Sequence, residues 1–476
     1  MRTRGRVIVL TSIIAVAGVA ALLAGARGSR RGGVARGGGS ATQAASVATE
    51  AHALTPLPPR ELSPELAGVR SRVMEKTSET RGLAWLAPPG MIELTGWEYG
   101  TRAREMTDAL GGEELRSLSR LASAGGLLPE GTDLATLAAG FTAASATALY
   151  SPFDRSVLLV AERRARSSAS AHAGASSPGD SSRGGESSSA GVDESLLAHE
   201  FTHALQDQHF DLLRLLGAKP YNFDRGEAAF AVVEGDAMNV ERRLEVGEAA
   251  WSRRTPEDAA RIEEQRFAIY RKEFGALFPP LLTETFIFRY RDGARFVETV
   301  RRKGGERAVD ELFARPPASS EQVLHPEKYF AGEQPREINF DDARLDAAGW
   351  RETVSTPLGE LGVRGLLLKS LPRAAAERAA AGWGGDRAYL FERASGERLF
   401  VWQSSWDTPT DAREFFRAYN ALERARGATE VNNGEGNDSK TWREGDTVTR
   451  VRLTNDAVTI LRGRESDIAS AISLAG

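Results

Sequence analysis

Three of the chain's six histidines lie in one short stretch, LLAHEFTHALQDQHFDL, at residues 196–212. On an α-helix each residue advances about 100°, so His199 and His203, four positions apart, project from one face and can reach the same ion. Glu200 lies beside them, where a carboxylate can stand near an ion without binding it. This H-E-x-x-H spacing is typical of zinc sites that keep one coordination position for water. It predicts a Zn²⁺ site with Glu200 as the general base.

The role of Glu200 follows from the acidity of zinc-bound water, whose pKa falls from about 15.7 towards 7. A neighbouring carboxylate can then accept the proton at neutral pH and pass it to a leaving amine. The alternative interpretation is a surface helix whose histidines are merely polar.

A catalytic zinc normally has three protein ligands, and the chain contains no cysteine that could provide one. His209 points away from the histidine pair on the same helix. A better source is DRGEAAFAVVEGDAMNV, where Glu234 follows His203 at a distance sufficient for one turn and a second antiparallel helix. Gly235 beside it would permit a close approach of backbone to the site.

HEFTHALQDQHFDL followed by VVEGDA resembles the gluzincin group of zinc metallopeptidases. It is more closely similar to a set of mostly uncharacterised exported metallopeptidases of bacteria and archaea. Segments such as LLPEGTDLATLAAGFTAASATALYSPFDRSVLLV, SSEQVLHPEKYF and AAAGWGGDRAYL extend the resemblance from about Leu62 to the end of the chain. The resemblance implies His199, His203 and Glu234 as ligands, Glu200 as base, and a peptide or protein substrate.

The segment before the active-site helix differs from the family pattern in one respect and resembles it in another. The Ser/Gly-rich insertion at 163–193 is longer than the family pattern, and it is either a lid or a tolerated disordered loop. In gluzincins a strand there borders the cleft, so residues 156–162, which have the apolar character of a strand, are expected to bind extended peptide as an added strand.

Five further residues are candidates for supporting roles around the metal, and each has an ordinary structural role as its alternative. Asp207, Asp236 and Glu227 could each accept the second ring proton of a metal-binding histidine, and each could equally be an ordinary helix acid. His325 and Tyr329 in LHPEKYF are candidate donors to the oxyanion of peptide hydrolysis, a role that gluzincins often give to His or Tyr. Local packing is the alternative role for both.

The fold class predicted is α+β, with a mainly helical zincin-like catalytic region at 61–335, a short edge strand within it, and a smaller α+β domain at 336–476. Helices are expected at roughly 194–215, 226–247 and 256–274. In the C-terminal part, AYLFERASGERLFVW predicts two strands joined by a turn, and TDAREFFRAYNALERA a helix. GWGGDR predicts a turn with Trp383 packed, and not a phosphate site, because no strand leads into it and no P-loop lysine follows.

The N-terminal sequence predicts export. Arginines flank an apolar run at residues 7–25, which is near the roughly 20 residues of a membrane span, while Ala24-Gly25-Ala26 resembles a signal-peptidase site. Residues 1–26 are thus a cleaved signal peptide or a retained membrane anchor, followed by a flexible tether at 27–60. The protein is expected outside the cytoplasm, either secreted or anchored to the membrane.

The composition argues against a nucleic-acid-binding function. The chain has 476 residues and a net charge of −4, so it lacks the positive field that would attract nucleic acid. The histidine spacing, the family resemblance and the N-terminal sequence together lead us to expect an exported zinc metallopeptidase. The alternatives are a non-catalytic cell-envelope binding protein with a structural zinc site, and an amidase that acts on non-peptide substrates with the same groups.

Overall fold

The computed structural model describes residues 54–145, 147–164, 192–217, 222–431 and 436–469. The predicted signal or anchor, most of the tether and most of the Ser/Gly insertion lie outside these ranges. Among the residues that are described, no helix combines the length and the apolar character needed to cross a bilayer. Leu54 and Leu57 pack against a buried apolar cluster, and the Leu57 N–H donates to Asp154 at 2.8 Å. The end of the predicted tether is therefore part of the folded body.

The N-terminal part consists of a small sheet and the helices that pack on it. Its elements are α1 (Pro64–Arg81), β1 (Gly90–Leu94), α2 (Gly96–Ala124), α3 (Leu134–Ser145), β2 (Ala148–Ser151) and β3 (Ser156–Val160). The strand order is β1-β3-β2, with β1 parallel and β2 antiparallel to β3. A capping box between Thr95 and Glu98 fixes the start of α2.

The position of β3 contradicts one expectation. The predicted edge strand at 156–162 is the central strand, paired on both sides, so it cannot accept a peptide as a further strand. Its unbroken run of buried residues is typical of a strand covered on both faces, which explains the apolar sequence. The strand beside the histidine helix is instead β2, at one edge of the sheet.

A group of helices follows. It comprises α4 (Glu194–Phe210), α5 (Leu212–Leu216), α6 (Phe223–Val246), α7 (Glu248–Ser252), α8 (Pro256–Phe274), α9 (Pro280–Ile287), a π-helical turn (Phe288–Asp292), α10 (Gly293–Ala314), α11 (Ser320–Leu324) and α12 (Pro326–Ala331). Asp193 caps α4 by accepting from the N–H groups of Ser195 and Leu196. Asp211, with a left-handed φ of 57°, ends α4 and separates it from α5, so the helix predicted at 194–215 is two helices.

The C-terminal part is built on a seven-stranded antiparallel sheet. Its elements are α13 (Ala343–Ala347), β4 (Arg351–Thr356), α14 (Gly359–Leu367), α15 (Arg373–Ala380), β5 (Trp383–Glu392), β6 (Arg398–Trp406), α16 (Pro409–Ala425), β7 (Thr429–Val431), β8 (Ser439–Glu444), β9 (Thr447–Thr454) and β10 (Ala457–Arg464). The strand order is β4-β5-β6-β10-β9-β8-β7. The predicted strand pair, now β5 and β6, and the helix at 410–425 are present.

The GWGGDR motif begins β5 and is not the turn predicted from the sequence. Trp383 is buried, as expected. Gly385 lies where the register with β6 shifts, at a φ of 154°, and a Cβ there would overlap the backbone of Arg336. Asp386 accepts hydrogen bonds from the Leu358 and Gly359 N–H groups at the start of α14, so the motif joins the sheet to this helix.

The mixed α+β class is confirmed, with a mainly helical part and a C-terminal α+β part. The two parts share one core, however. Leu115 of α2 and Leu281 of α9 belong to the same buried cluster as Trp402 and Phe415 of the C-terminal part. The predicted boundary near residue 335 therefore marks where the secondary structure changes from mainly helical to α+β, but one hydrophobic core extends across it.

Candidate metal site

Helices α4 and α6 pack together and bring three candidate ligands to one point. His199 Nε2 lies 3.1 Å from His203 Nε2 and 3.3 Å from Glu234 Oε2. His203 Nε2 lies 3.5 Å from the same Glu234 oxygen. All three side chains are at most 1% exposed. The structure thus brings together the set that the resemblance implied.

The neighbours of His203 determine where its ring proton lies. Its Nδ1 is 2.9 Å from Gln206 Oε1. The amide nitrogen of Gln206 donates to the Val233 carbonyl at 3.0 Å and to Asp236 at 2.9 Å, which fixes the orientation of the amide. The amide oxygen can therefore only accept, so Nδ1 carries the proton and Nε2 offers its lone pair to the site.

His199 is oriented by a carboxylate. Its Nδ1 lies 3.2 Å from Glu241 Oε2, and this carboxylate in turn accepts from Arg242 at 2.7 Å. With a proton on Nδ1, the Nε2 of His199 also presents a lone pair. Two lone pairs that face each other at 3.1 Å, with a carboxylate beside them, repel unless a ring proton or a metal ion lies between them.

The charges around His199 favour a cation. Burial opposes a charge on its ring, but hydrogen bonds to Glu234 and Glu241 outweigh burial and raise the pKa of His199 to about 10. Burial likewise opposes a charge on Glu234, yet His203 and His199 lower the pKa of this carboxyl. A divalent cation held by two imidazole nitrogens and one carboxylate oxygen would supply the positive charge. The donor set therefore fits such an ion, with three protein ligands.

Glu200 follows His199 on α4 and interacts electrostatically with His199 and Glu234. Its Oε2 accepts the Tyr150 N–H of β2 at 2.6 Å, whereas its buried Oε1 has no hydrogen-bond partner among the described residues. Burial raises the pKa of Glu200 to about 8, although His199 and the Tyr150 N–H oppose this shift. Buried carboxylate oxygens without a partner are uncommon. The arrangement suits a group that takes up and releases a proton.

The three acids predicted as histidine partners have other contacts. Asp207 accepts the Tyr150 hydroxyl at 2.8 Å and so supports β2. Glu227 forms a buried two-fold pair with Arg289, at 2.6 and 2.7 Å. Asp236 reaches His203 only through Gln206.

A buried chain of hydrogen bonds stabilises His203 from behind. Arg81 of α1 donates through Nε to the Asp236 oxygen that also accepts from Gln206, at 2.8 Å. Neither Gln206 nor Glu241 was predicted from the sequence as a partner of the histidines. For Glu241 a signal was present, because it lies two helical turns after Glu234 and thus on the same face of α6.

Other predicted residues lie elsewhere. His325 Nε2 contacts Glu360 at 3.0 Å, and the Tyr329 hydroxyl donates to the Arg315 carbonyl at 3.3 Å. The structure does not bring either residue into contact with the histidine pair, so these contacts do not support an oxyanion role. His209 is bonded to the Ala84 carbonyl at 2.8 Å near the surface, as expected of a residue that points away.

A close helix crossing positions Glu234. A Cβ at Gly235 would overlap the backbone of Gly293, and a Cβ at Gly293 would overlap the Ala231 carbonyl. The close approach predicted at Gly235 is therefore between α6 and the start of α10. The π-helical turn just before Gly293 places Tyr290 in a stacked contact with His199, with ring centroids 6.1 Å apart.

The site is closed. Leu197, Phe201 and neighbouring apolar residues seat α4 in a core, and His199, His203 and Glu200 on the same helix are buried as well. A substrate could reach the site only if neighbouring elements moved.

Comparisons with known proteins add little to this geometry. Residues 349–473 match the family model described as Domain of unknown function (DUF8575), which lies outside α4 and α6. No curated protein matches the chain. A solved structure from Chloroflexus aurantiacus, described as that of a proposed hydrolase with a novel fold, has 16% sequence identity and a TM-score of 0.27. The match covers 57% of this chain and 92% of that chain. A likeness at this TM-score supports no argument about activity.

Proposed function

We propose that this protein is an exported zinc-dependent peptidase. The observation that carries the proposal is the convergence of three ligand atoms within 3.5 Å of one another, together with a buried Glu200 oxygen that has no hydrogen-bond partner in the described part of the chain. His199, His203 and Glu234 would hold the ion. Bound zinc would supply a Lewis acid that makes water acidic enough to be deprotonated near neutral pH.

The protein's own groups would then move the proton. Glu200 Oε1 accepts a proton from the attacking water and later delivers it to the amine that leaves. The Tyr150 N–H holds the other oxygen of Glu200 in place. β2 is an edge strand beside Glu200, but all four of its residues are buried, so an extended peptide would lie along it only after neighbouring elements moved.

Burial of the site favours a second candidate, a binding protein that keeps zinc for structure. All three ligands and Glu200 are at most 1% exposed, as in a structural site. Structural zinc sites, however, usually have four protein ligands, and the group found among the described residues has three. Glu200 Oε1, for which the described residues offer no hydrogen-bond partner, also has no purpose in a purely structural site.

Metal content and peptide cleavage distinguish the two. Full-length wild type, Glu200→Gln and Glu234→Gln would be analysed for zinc by mass spectrometry and incubated with a broad peptide library. We expect one zinc per chain in wild type and in Glu200→Gln, with kcat of this variant reduced at least about 100-fold by loss of the base. Glu234→Gln should lose most of the zinc.

Two results would contradict the peptidase. Equal cleavage by wild type and Glu200→Gln would remove Glu200 from the mechanism. Zinc in both proteins with no cleavage by either would favour the structural site.

A further inference from the structure

A cavity of about 830 Å³ lies between the helical part and the C-terminal part. Residues from the start of α6 and from the start of β5 line it, as do Tyr329 and Phe330 of α12. Its volume is within the range of sites that hold small organic ligands, roughly 300–1,000 Å³. The metal site uses none of these residues.

Two motifs that the metal site leaves unexplained meet at this cavity. LHPEKYF contributes Tyr329 and Phe330, and GWGGDR contributes Trp383, Asp386 and Arg387. The fold therefore brings together two segments that are far apart in the chain to line a single space.

The wall of the cavity is fixed by contacts of the chain that follows α12. The Arg336 N–H donates to the Gly384 carbonyl at 2.7 Å, and a Cβ at Gly385 would overlap the Arg336 backbone. Gln322, which is buried, donates to the Glu333 carbonyl. Because these contacts hold the wall within the protein itself, a ligand would not have to order it on binding.

Positive groups outnumber negative groups around the cavity. The lining contains four arginines and three acids: Arg225, Arg315, Arg336 and Arg387, and Asp224, Glu337 and Asp386. The charge of Asp386 is satisfied inside the protein, because its carboxylate accepts two backbone N–H groups and the indole N–H groups of Trp383 and Trp402. Arg336 is also paired, with Asp456 at 3.0 Å.

Arg225 and Arg387 differ from Arg336, because neither forms an ion pair with a carboxylate in the described part of the chain. Arg387 donates through Nε and Nη2 to the Ser355 hydroxyl, at 3.2 and 3.1 Å, and its guanidinium lies 5.8 Å from the ring centroid of Tyr389. These contacts orient the group without neutralising its charge. A guanidinium in this condition is suited to bind carboxylate or phosphate oxygens.

We propose that this cavity binds a small organic anion with at least two acidic groups, carboxylate or phosphate. Arg225 and Arg387 contact the acidic groups of the ligand, and Tyr329 and Phe330 contact its apolar part. The proposal does not depend on the metal site or on peptide cleavage, so it stands or falls separately from the proposed peptidase function.

Calorimetry on the full-length protein tests the proposal with three probes: citrate, inorganic pyrophosphate and the dipeptide glutamyl-phenylalanine. We expect at least one probe to bind with submillimolar Kd, and the probes that bind identify carboxylate or phosphate as the preferred group. Arg225→Gln and Arg387→Gln should each weaken this binding about 10- to 100-fold, because each variant loses a charge-assisted hydrogen bond. The Tm of both variants should stay close to that of wild type.

Two further variants separate binding in the cavity from a general effect of net charge. Arg413→Gln also removes one positive charge, but Arg413 lies on α16 and pairs with Asp438 outside the cavity, so this variant should keep the wild-type affinity. Ala318→Phe leaves the charge unchanged and fills the cavity that Ala318 lines, so it should abolish binding. The proposal is overturned if no probe binds wild type at millimolar concentration, if Arg413→Gln weakens binding as much as the cavity variants do, or if Ala318→Phe binds like wild type.

Discussion

The two histidines of the site are oriented by chemically different partners. His199 is held by the carboxylate of Glu241, and His203 by the neutral amide of Gln206. A carboxylate partner makes an imidazole a stronger ligand, because the developing positive charge on the ring is stabilised. His199 is therefore the ligand whose affinity for metal depends most on its neighbour.

Glu241→Gln should weaken zinc binding about 10- to 100-fold, which is the usual effect of losing such a partner. Competition with a chromophoric chelator would measure the change. Glu227→Gln is the control, since Glu227 is as buried and lies on the same helix but pairs with Arg289. Glu227→Gln should lower stability but keep the wild-type affinity for zinc. If Glu227→Gln lost zinc and Glu241→Gln did not, Glu227 would be the residue that supports the ligands.

The sequence was most informative at the residues that form the site. The i, i+4 spacing of His199 and His203 identified the pair, because one helix fixes their geometry. Glu234 was predicted as the third ligand from the family resemblance and from a spacing that allows a second antiparallel helix. The chain of hydrogen bonds from Gln206 through Asp236 to Arg81 could not be found in this way, because it joins three helices and contacts across the fold leave no trace in a local sequence pattern.

Among the elements, helix α6 is decisive, since it carries both Glu234 and Glu241. Its distance from α10 is limited by Gly235 and Gly293, which allow backbone contact. An added methyl group at Gly235 would meet the backbone of Gly293, which cannot rotate away as a side chain could. The helices would have to separate, and Glu234 would move with α6.

Gly235→Ala should accordingly lower the free energy of unfolding by about 1–3 kcal/mol or more, as overpacking does, and should also weaken zinc binding. Chemical denaturation and chelator competition would measure the two effects. Gly68→Ala on α1 is the control, because a Cβ there meets nothing within 4 Å. It should be neutral or stabilise by about 0.5–1 kcal/mol. If Gly235→Ala behaved like Gly68→Ala, the crossing would not hold the site.

Element types were easier to predict than their neighbours. The apolar run at 156–160 correctly indicated a strand, but period and composition cannot say which strands flank it, and β3 is central where an edge was expected. The break of α4 at Asp211 was missed for a related reason. A non-glycine residue with left-handed φ gives only a weak local signal, and the apolar residues continue on both sides of it.

At the scale of the whole molecule, buried polar groups join the helical and C-terminal parts. We call this group the seam; its members are Asp224, Ser320, Gly359, Glu360 and Asp386. Asp224 at the start of α6 accepts the Ser320 N–H at 2.9 Å, and a Cβ at Gly359 would overlap the Asp224 carboxylate. Asp386 and Glu360 lie close enough to oppose a further negative charge there. No local sequence pattern indicates these contacts, because their members come from segments that are far apart in the chain.

The seam predicts a pH-dependent stability. Burial raises the pKa of Asp224 to about 7, although Ser320 opposes this, whereas in the unfolded chain it lies near 3.8. The folded state then binds the proton more tightly than the unfolded chain does. The stability contributed by Asp224 is therefore present at low pH and is lost as the pH rises from about 4 to 7. Over this range the free energy of unfolding falls by up to about 1.4 kcal/mol per pH unit. Urea denaturation across this range should give a shallower decline for Asp224→Asn than for wild type. Glu130→Gln, which removes an exposed carboxylate, should keep the wild-type slope. An identical decline in all three proteins would show that the seam does not oppose the charge on Asp224.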